Sequence, residues 1–326
     1  MLPVALKRSG PALGLALGVA VVSTAALLVR WALDAGAQPL AVAAARLTLA
    51  ALLMWPICWW SLKRDGLADN GKAVRQARLP GGLVAWILVA GVSLAAHFAA
   101  WISSLHYTSV ASSVALVTTN PIWVALGAWL VFRDRPGARV WVAIALSLAG
   151  SLLISWSDLM SPAVALSPLP EASADLSSPS DAQGSDPLRG NALALLGAVA
   201  MSGYMLAARA VKRRDPTIGL LRYVAMVYSV AAVALSLCAW LAGAAWWALP
   251  APAWPALILL ALGPQVLGHT LINHALRHLA PTVVALAILG EPIGAALLAY
   301  ALLNEVISAG QFLGFCMVIL AVVLAR

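Results

Sequence analysis

The chain has 326 residues, of which 63% are hydrophobic and 10% are charged, and its mean hydropathy is +0.93. These values exclude an ordinary soluble globular domain and predict an all-α integral membrane protein. The formal net charge of +8 would suit a nucleic-acid binder, but the positions of the basic residues indicate a membrane topology instead. The three cysteines have no C-x-x-C spacing, so we expect no disulfide framework, no metal site and no cofactor.

Ten apolar segments fill almost the whole chain, and each is long enough to cross a bilayer core of about 30 Å. They predict transmembrane helices at residues 11–33, 38–62, 83–106, 110–132, 138–156, 190–210, 217–243, 253–276, 281–303 and 308–325. Lys7 and Arg8 precede the first segment as in a signal peptide, but its apolar run is too long for one. We therefore divide the chain into a first five-helix unit (1–156), a linker (157–189) and a second five-helix unit (190–326).

The basic residues concentrate in alternate loops. With the N-terminus in the cytoplasm, the cytoplasmic segments hold Lys7, Arg8, Lys63, Arg64, Lys72, Arg75, Arg78, Arg133, Arg135, Arg139, Lys212, Arg213, Arg214, Arg277 and Arg326. The opposite loops hold little beyond Arg30 and Arg189. This bias predicts that both termini are cytoplasmic and that the protein is a multi-pass component of the cell membrane (inner or plasma). The expected partners of the basic patches are anionic lipid headgroups, not nucleic acid.

The linker is the one long hydrophilic connection, and the topology places it outside the cell. It is rich in Ser, Pro, Ala and Asp and contains almost no large apolar side chains. Such a segment cannot bury enough surface to offset the entropy lost on ordering. We therefore predict a disordered external linker between the two five-helix units.

The last five segments repeat the first five. The run SVALVTTNPIW around Pro121 aligns with the run VALAILGEPIG around Pro292, so that Asn120 lies opposite Glu291. Because five is an odd number of spans, the second copy must start from the other side of the membrane. Inverted repeats of this kind build two gates around one central site in many secondary transporters.

The chain resembles the EamA-type ten-helix members of the drug/metabolite transporter superfamily. The resemblance is carried by the run SLHYTSVASSVALVTTNP from Ser104 and the run GPQVLGHTLINHALRHLAPTVVALAILGEP from Gly263. Family repeats tend to carry a proline in the fourth helix, an acidic residue after it, and an arginine in the second helix. The matching positions are Pro121 with Asp134, Pro292 with Glu305, and the two arginines Arg46 and Arg222. The resemblance implies a permease whose third, fourth, eighth and ninth helices line a central cavity, with contributions from the first and sixth.

Glu291 is the sharpest candidate for a functional group inside the membrane. It lies about ten residues from either end of the ninth span, where an ionisable side chain is costly. The following Pro292 loosens the helix and leaves carbonyl groups free. The carboxyl group could carry a proton or bind a substrate ammonium, or it could be a hydrogen-bonded structural group that stabilises the helix break.

Polar side chains form stripes on two further spans. Gln265, His269 and Asn273 follow one another at intervals of four residues in the eighth span, and His97 and Trp101 do so in the third. This spacing places each set on one helix face, which predicts either a cavity lining or a hydrogen-bonded seam between helices. The two histidines could also relay protons.

Four further residues complete the candidate site. Asn120, next to the predicted helix break at Pro121, is a candidate ligand donor, and Tyr204 in the sixth span is expected to face the same cavity. For Arg46 and Arg222 we expect either snorkelling towards the nearer membrane surface or pairing at a gate.

Together these features predict a secondary transporter, not an enzyme. We expect an exporter of small metabolites such as amino acids or amines that works by alternating access, with or without proton coupling. No G-x-x-x-x-G-K-[ST] run is present to support ATP-driven transport. The alternatives are a multidrug or purine-type permease of the same fold and, with less support, a channel or a membrane-embedded enzyme. The Gly-x-x-x-Gly pairs at Gly14 and Gly310 fit either internal packing or a homodimer.

Overall fold

A computed structural model describes residues 4–68, 80–107, 113, 116–160, 186–291, 293–294, 297–298 and 309–324. Within these ranges the regular secondary structure is helical, without strands. Six helical spans are long and apolar enough to cross a membrane, and three shorter apolar helices accompany them. The prediction of an all-α membrane protein is confirmed.

The described helices overlap all ten predicted spans, although those in the fourth and ninth spans cover only part of the predicted length. They are α1 (Val4–Val22), α2 (Ala25–Asp34), α3 (Pro39–Ala68), α4 (Gly81–Tyr107), α5 (Asn120–Phe132), α6 (Ala138–Met160), α7 (Pro187–Arg214), α8 (Leu220–Leu241), α9 (Trp254–Leu260), α10 (Thr270–Leu276), α11 (Pro281–Ile288) and α12 (Ala309–Leu324). Short 3₁₀ turns form at Trp246–Ala248 and Ala251–Ala253. A π-helical segment (Ala261–His269) joins α9 to α10, so the eighth span is one rod with a widened middle.

The first span differs from its prediction because it is interrupted at Ser23 and Thr24. The Ser23 Oγ donates to the Val19 carbonyl at 2.9 Å, and the Thr24 Oγ1 donates to the Val21 carbonyl at 2.8 Å. Hydroxyl groups that bond back to the preceding turn compete with the helical pattern. The predicted single helix is therefore two helices, α1 and α2.

The helices on either side extend a few residues into the predicted linker. Residues 157–160 continue α6, and α7 begins at Pro187. Asp186 caps α7, since its side chain accepts a hydrogen bond from the Arg189 backbone N–H at 3.0 Å. Residues 161–185 of the predicted disordered linker (157–189) lie outside the described residues.

Helix packing follows the two-repeat pattern. The most extensive pairs are α4 with α7, α6 with α12, and α3 with α8. Helices α3 and α8 are the second spans of their repeats, and α6 and α12 are the fifth. The pairing of α4 (third span) with α7 (sixth span) has its counterpart in α1 (first span) packed on the π-helical segment and α10 (eighth span). Exchanging the repeats therefore maps this set of pairs onto itself, as inverted repeats require.

Glycines allow the closest of these approaches. A Cβ added at Gly18 would lie 3.1 Å from the Gly268 carbonyl oxygen, and one added at Gly150 would lie 2.8 Å from the Gly314 carbonyl oxygen. Gly18 and Gly314 belong to the two Gly-x-x-x-Gly pairs, so both pairs take part in packing within the chain.

Gly150→Ala is expected to lower the free energy of unfolding by about 1–3 kcal/mol, because the new methyl group would overlap a backbone oxygen that cannot move aside locally. Titration with a denaturing detergent, followed by circular dichroism, measures the change. The matched control is Gly137→Ala, where no atom lies within 4 Å of the added Cβ. Equal stability of the two variants would contradict the close α6–α12 contact.

Candidate functional site

A cavity lies in the middle of the bundle, and polar side chains that the sequence analysis names line part of it. These are Arg46, His97, Trp101, Asn120, His269 and Glu291. The remaining lining is mostly apolar and includes Phe98, Met201 and Ile288. The first, third, fourth, sixth, eighth and ninth spans contribute, as the family resemblance implies, and α3 adds Arg46 from the second span.

The cavity is narrow in this conformation. The space open to the centres of water molecules is about 40 Å³, which is enough for roughly three waters. A metabolite therefore needs the surrounding helices to move apart before it can enter.

Arg46 is the side chain that differs most from its prediction. It is 0% exposed, so the expectation of snorkelling is wrong. Its Nε donates to the Gln265 Oε1 at 2.8 Å, and its guanidinium carbon lies 4.1 Å from the centre of the Phe98 ring. The guanidinium group is thus fixed between α4 and the π-helical segment. Arg222, its counterpart by sequence, is only half-buried and lines neither of the two pockets described here.

The π-helical segment positions two residues of the predicted polar stripe. Pro264 within it has no backbone N–H to donate, which disfavours a regular α-helix there. Gln265 is fully buried and its carbonyl accepts from the Tyr228 hydroxyl at 3.0 Å. The His269 ring meets the Phe98 ring edge to face at 5.4 Å, so Phe98 contacts both His269 and Arg46.

His97 is held by the backbone of α7. Its Nδ1 lies 2.9 Å from the Gly197 carbonyl oxygen, which can only accept, so the Nδ1 carries the hydrogen. The imidazole ring is parallel to the Trp101 indole at 6.2 Å. His97 therefore has a structural hydrogen bond as well as a place in the cavity wall.

The described helices stop just before the two predicted helix breaks. Residues 118–119 form a turn and α5 begins at Asn120, which places Pro121 in the first helical turn, where a missing N–H costs nothing. The Asn120 carbonyl accepts from the Ser202 hydroxyl of α7 at 3.0 Å. In the second repeat α11 ends at Ile288, before a turn at residues 289–290. Pro292 and Glu305 lie outside the described residues.

Tyr204 does not line the cavity. It is fully buried and its hydroxyl donates a short hydrogen bond to the Asn273 Oδ1. The Asn273 Nδ2 donates in turn to the His269 carbonyl at 2.8 Å. Asn273 also lines a second, smaller pocket, which we call the basic-face pocket because its other polar residues are Lys212, Tyr223 and Arg277. The Tyr204–Asn273 pair thus lies between the central cavity and the basic-face pocket.

An ion-pair cluster that the sequence did not predict joins the two repeats on the side of the bundle that holds the basic-face pocket, which we call the basic face. Asp134, after α5, lies 2.5 Å from the Arg209 Nη2 and 3.6 Å from the Arg213 Nη2, both on α7. The Phe132 ring lies 4.9 Å and 4.6 Å from the two guanidinium carbons. Nearby, Thr217 donates to Asp215 from its hydroxyl and its backbone, which lowers the pKa of that carboxyl group. Within the described part of the chain, no cluster of three His, Cys, Asp or Glu could hold a metal ion.

A membrane-spanning bundle of two paired repeats around one polar-lined cavity defines a membrane transporter. The chain belongs to the EamA-like transporter family, whose pattern matches residues 10–156 and 188–326.

Individual proteins with named functions match only parts of the chain. A riboflavin transporter of Rhizobium johnstonii is 36% identical over 61 residues, which cover 18% of this chain and 20% of that protein. A Salmonella typhimurium protein named "Probable 4-amino-4-deoxy-L-arabinose-phosphoundecaprenol flippase subunit ArnE" is 25% identical over 72 residues, which cover 22% of this chain and 65% of that protein. A solved crystal structure aligns with 98% of this chain, over 98% of the solved chain, with a TM-score of 0.69. Its sequence identity is 17%, so it supports the fold alone.

Proposed function

We propose that the protein is a secondary transporter that exports small metabolites, such as amino acids or amines, across the cell membrane by alternating access. The observation that carries the proposal is the central cavity, where the buried Arg46 and the carboxyl group of Glu291 face one small space between the two repeats. A cationic group and a carboxyl group in a cavity between two repeats suit the binding of a polar solute midway across the membrane. The basic loops suit anionic headgroups at the cytoplasmic face.

Closure on the basic face supports alternating access. The Tyr204–Asn273 hydrogen bond and the Asp134 cluster both join elements of different spans on that side of the cavity. Both must separate if a solute is to pass in that direction. An arrangement of this kind, closed on one side, is the state expected when access alternates between two faces.

Glu291 is the candidate proton carrier, and its replacement tests the proposal. In proteoliposomes, Glu291→Gln is expected to retain reduced counterflow of labelled solute and to lose its dependence on pH, because an amide carries no charge and releases no proton. Glu291→Asp is the matched control, and its counterflow should still change with pH.

Counterflow by the wild-type protein tests whether the protein is a carrier at all. Counterflow of labelled solute against unlabelled solute identifies a carrier, since a channel does not exchange one for the other. No counterflow of any tested amino acid or amine by folded protein would contradict the proposed function. An unchanged pH profile in Glu291→Gln would contradict the proton role alone.

A further inference from the structure

The guanidinium group of Arg46 is a buried cation, and the described residues satisfy only part of its hydrogen-bonding capacity. Its Nε is used by Gln265, and one face of the guanidinium group lies over Phe98. The Nη1 and Nη2 are buried and have no hydrogen-bond partner among the described residues. A buried cation with unused donors is strongly unfavourable unless an acceptor, preferably an anion, completes it.

The carboxyl group of Glu291 does not accept a hydrogen bond from these two nitrogens. Both side chains line the cavity, yet the ion pairs within 4.0 Å among the described residues involve only Arg30, Arg209 and Arg213. Arg46 and the carboxyl group of Glu291 thus line one cavity without an ion pair within 4.0 Å. A molecule that carries both an anionic and a cationic group could therefore pair with each side chain once the helices have moved apart.

We propose that Arg46 binds the carboxylate group of the substrate, so that the cavity accepts small carboxylate-bearing molecules, amino acids above all, and rejects simple amines. The inference rests on the proposed function and narrows its substrate class. The two terminal nitrogens form a planar fork that matches the two oxygens of a carboxylate. Glu291 is then available to the ammonium group, and a zwitterion leaves the net charge of the cavity unchanged.

The unpaired donors around the fork favour the same ligand. The Gln265 Nε2 and the Trp101 Nε1 are buried N–H groups without a partner in the described part of the chain. Trp101 lines the cavity, and Gln265 is bonded to Arg46 itself. Three side chains thus offer unused N–H donors in one region, which suits an acceptor-only group such as a carboxylate.

Three probes that share the same branched alkyl chain show whether the wild-type protein recognises the carboxylate group, the ammonium group or both. L-leucine carries both charged groups, 4-methylpentanoate carries only the carboxylate, and 3-methylbutylamine carries only the ammonium. Thermal stabilisation of the purified protein measures binding, and proteoliposome counterflow measures transport. We expect the strongest stabilisation by L-leucine, weaker stabilisation by 4-methylpentanoate and none by the amine. Stabilisation by the amine equal to that by L-leucine, or none by either carboxylate, would overturn the inference.

Variants of Arg46 provide the second test. Arg46→Gln is expected to weaken L-leucine binding about 10- to 100-fold, because a charge-assisted pair with two hydrogen bonds is lost. Arg46→Lys keeps the charge but not the two-nitrogen fork, so its affinity for L-leucine should lie between those of the wild type and Arg46→Gln. Arg139→Gln, at an exposed arginine, is the control and should bind as the wild type does. Unweakened binding by Arg46→Gln refutes the carboxylate role, whereas binding without counterflow in the wild type refutes the proposed function and leaves this inference standing.

Discussion

Gln265→Leu is expected to lower the free energy of unfolding by about 3 kcal/mol and to abolish transport. Gln265 supplies the one hydrogen bond that the described chain makes to the buried guanidinium group of Arg46. Removing a partner from a buried charge leaves the charge without compensation, and this costs more than an ordinary hydrogen bond. Leucine has a similar volume, so the effect reports the lost bond and not a cavity. Titration with denaturing detergent measures stability, and counterflow measures transport.

Two further variants interpret that result. Gln38→Leu makes the same chemical change at an exposed site and should leave stability unchanged. Gln265→Glu offers Arg46 a carboxylate from the protein itself, so we expect a folded protein that no longer binds L-leucine. If Gln265→Leu is as stable as Gln38→Leu, the buried charge does not depend on this contact.

Much of the fold could be predicted because a bilayer restricts what a chain can do. Spans of about 20 apolar residues must form helices, and no other regular structure satisfies their backbone within one segment. The details missed are local: hydroxyl groups of Ser23 and Thr24 end α1, and the π-helical segment interrupts the eighth span. Hydropathy is insensitive to both, since each replaces one helical pattern with another in an apolar stretch.

The cavity wall could be predicted in part for a similar reason. The spacings of His97 with Trp101 and of Gln265 with His269 place each pair on one helix face, and the structure brings these faces together. For Arg46 the sequence predicts either snorkelling or pairing at a gate, because a long cationic side chain near a helix end usually reaches water. Its burial depends on Gln265, which lies 219 positions away in the chain. Only tertiary packing reveals such a contact.

The two repeats diverge in chemistry while they keep their packing. Arg46 is fully buried whereas Arg222 is half-buried, and Asn120 stands where the second repeat has Glu291. The packing pattern requires similar helices, so it preserves the symmetry of the bundle. The proposed binding of a zwitterion uses two different groups in one cavity, so it depends on the places where the repeats differ. The cation comes from the first repeat and the carboxyl group from the second.

Tyr204→Phe is expected to open the central cavity towards the basic face more often. The Tyr204 hydroxyl bonds to Asn273, which in turn bonds to the His269 carbonyl at 2.8 Å, so the pair closes the space between the two pockets. Loss of a buried hydrogen bond that exists only in the closed state shifts the equilibrium by about 1.4 kcal/mol, or roughly tenfold in the open population.

Cysteine labelling measures this shift. Ala25, which lines the central cavity, is replaced by cysteine in a variant whose own cysteines (Cys58, Cys238 and Cys316) are replaced by alanine. A membrane-impermeant thiol reagent, added from the basic face, should label the Tyr204→Phe protein about ten times faster than its parent. Tyr223→Phe is the matched control, because the buried Tyr223 hydroxyl has no hydrogen-bond partner in the described ranges. Equal labelling rates for Tyr204→Phe and Tyr223→Phe would mean that the Tyr204–Asn273 hydrogen bond does not hold the cavity closed.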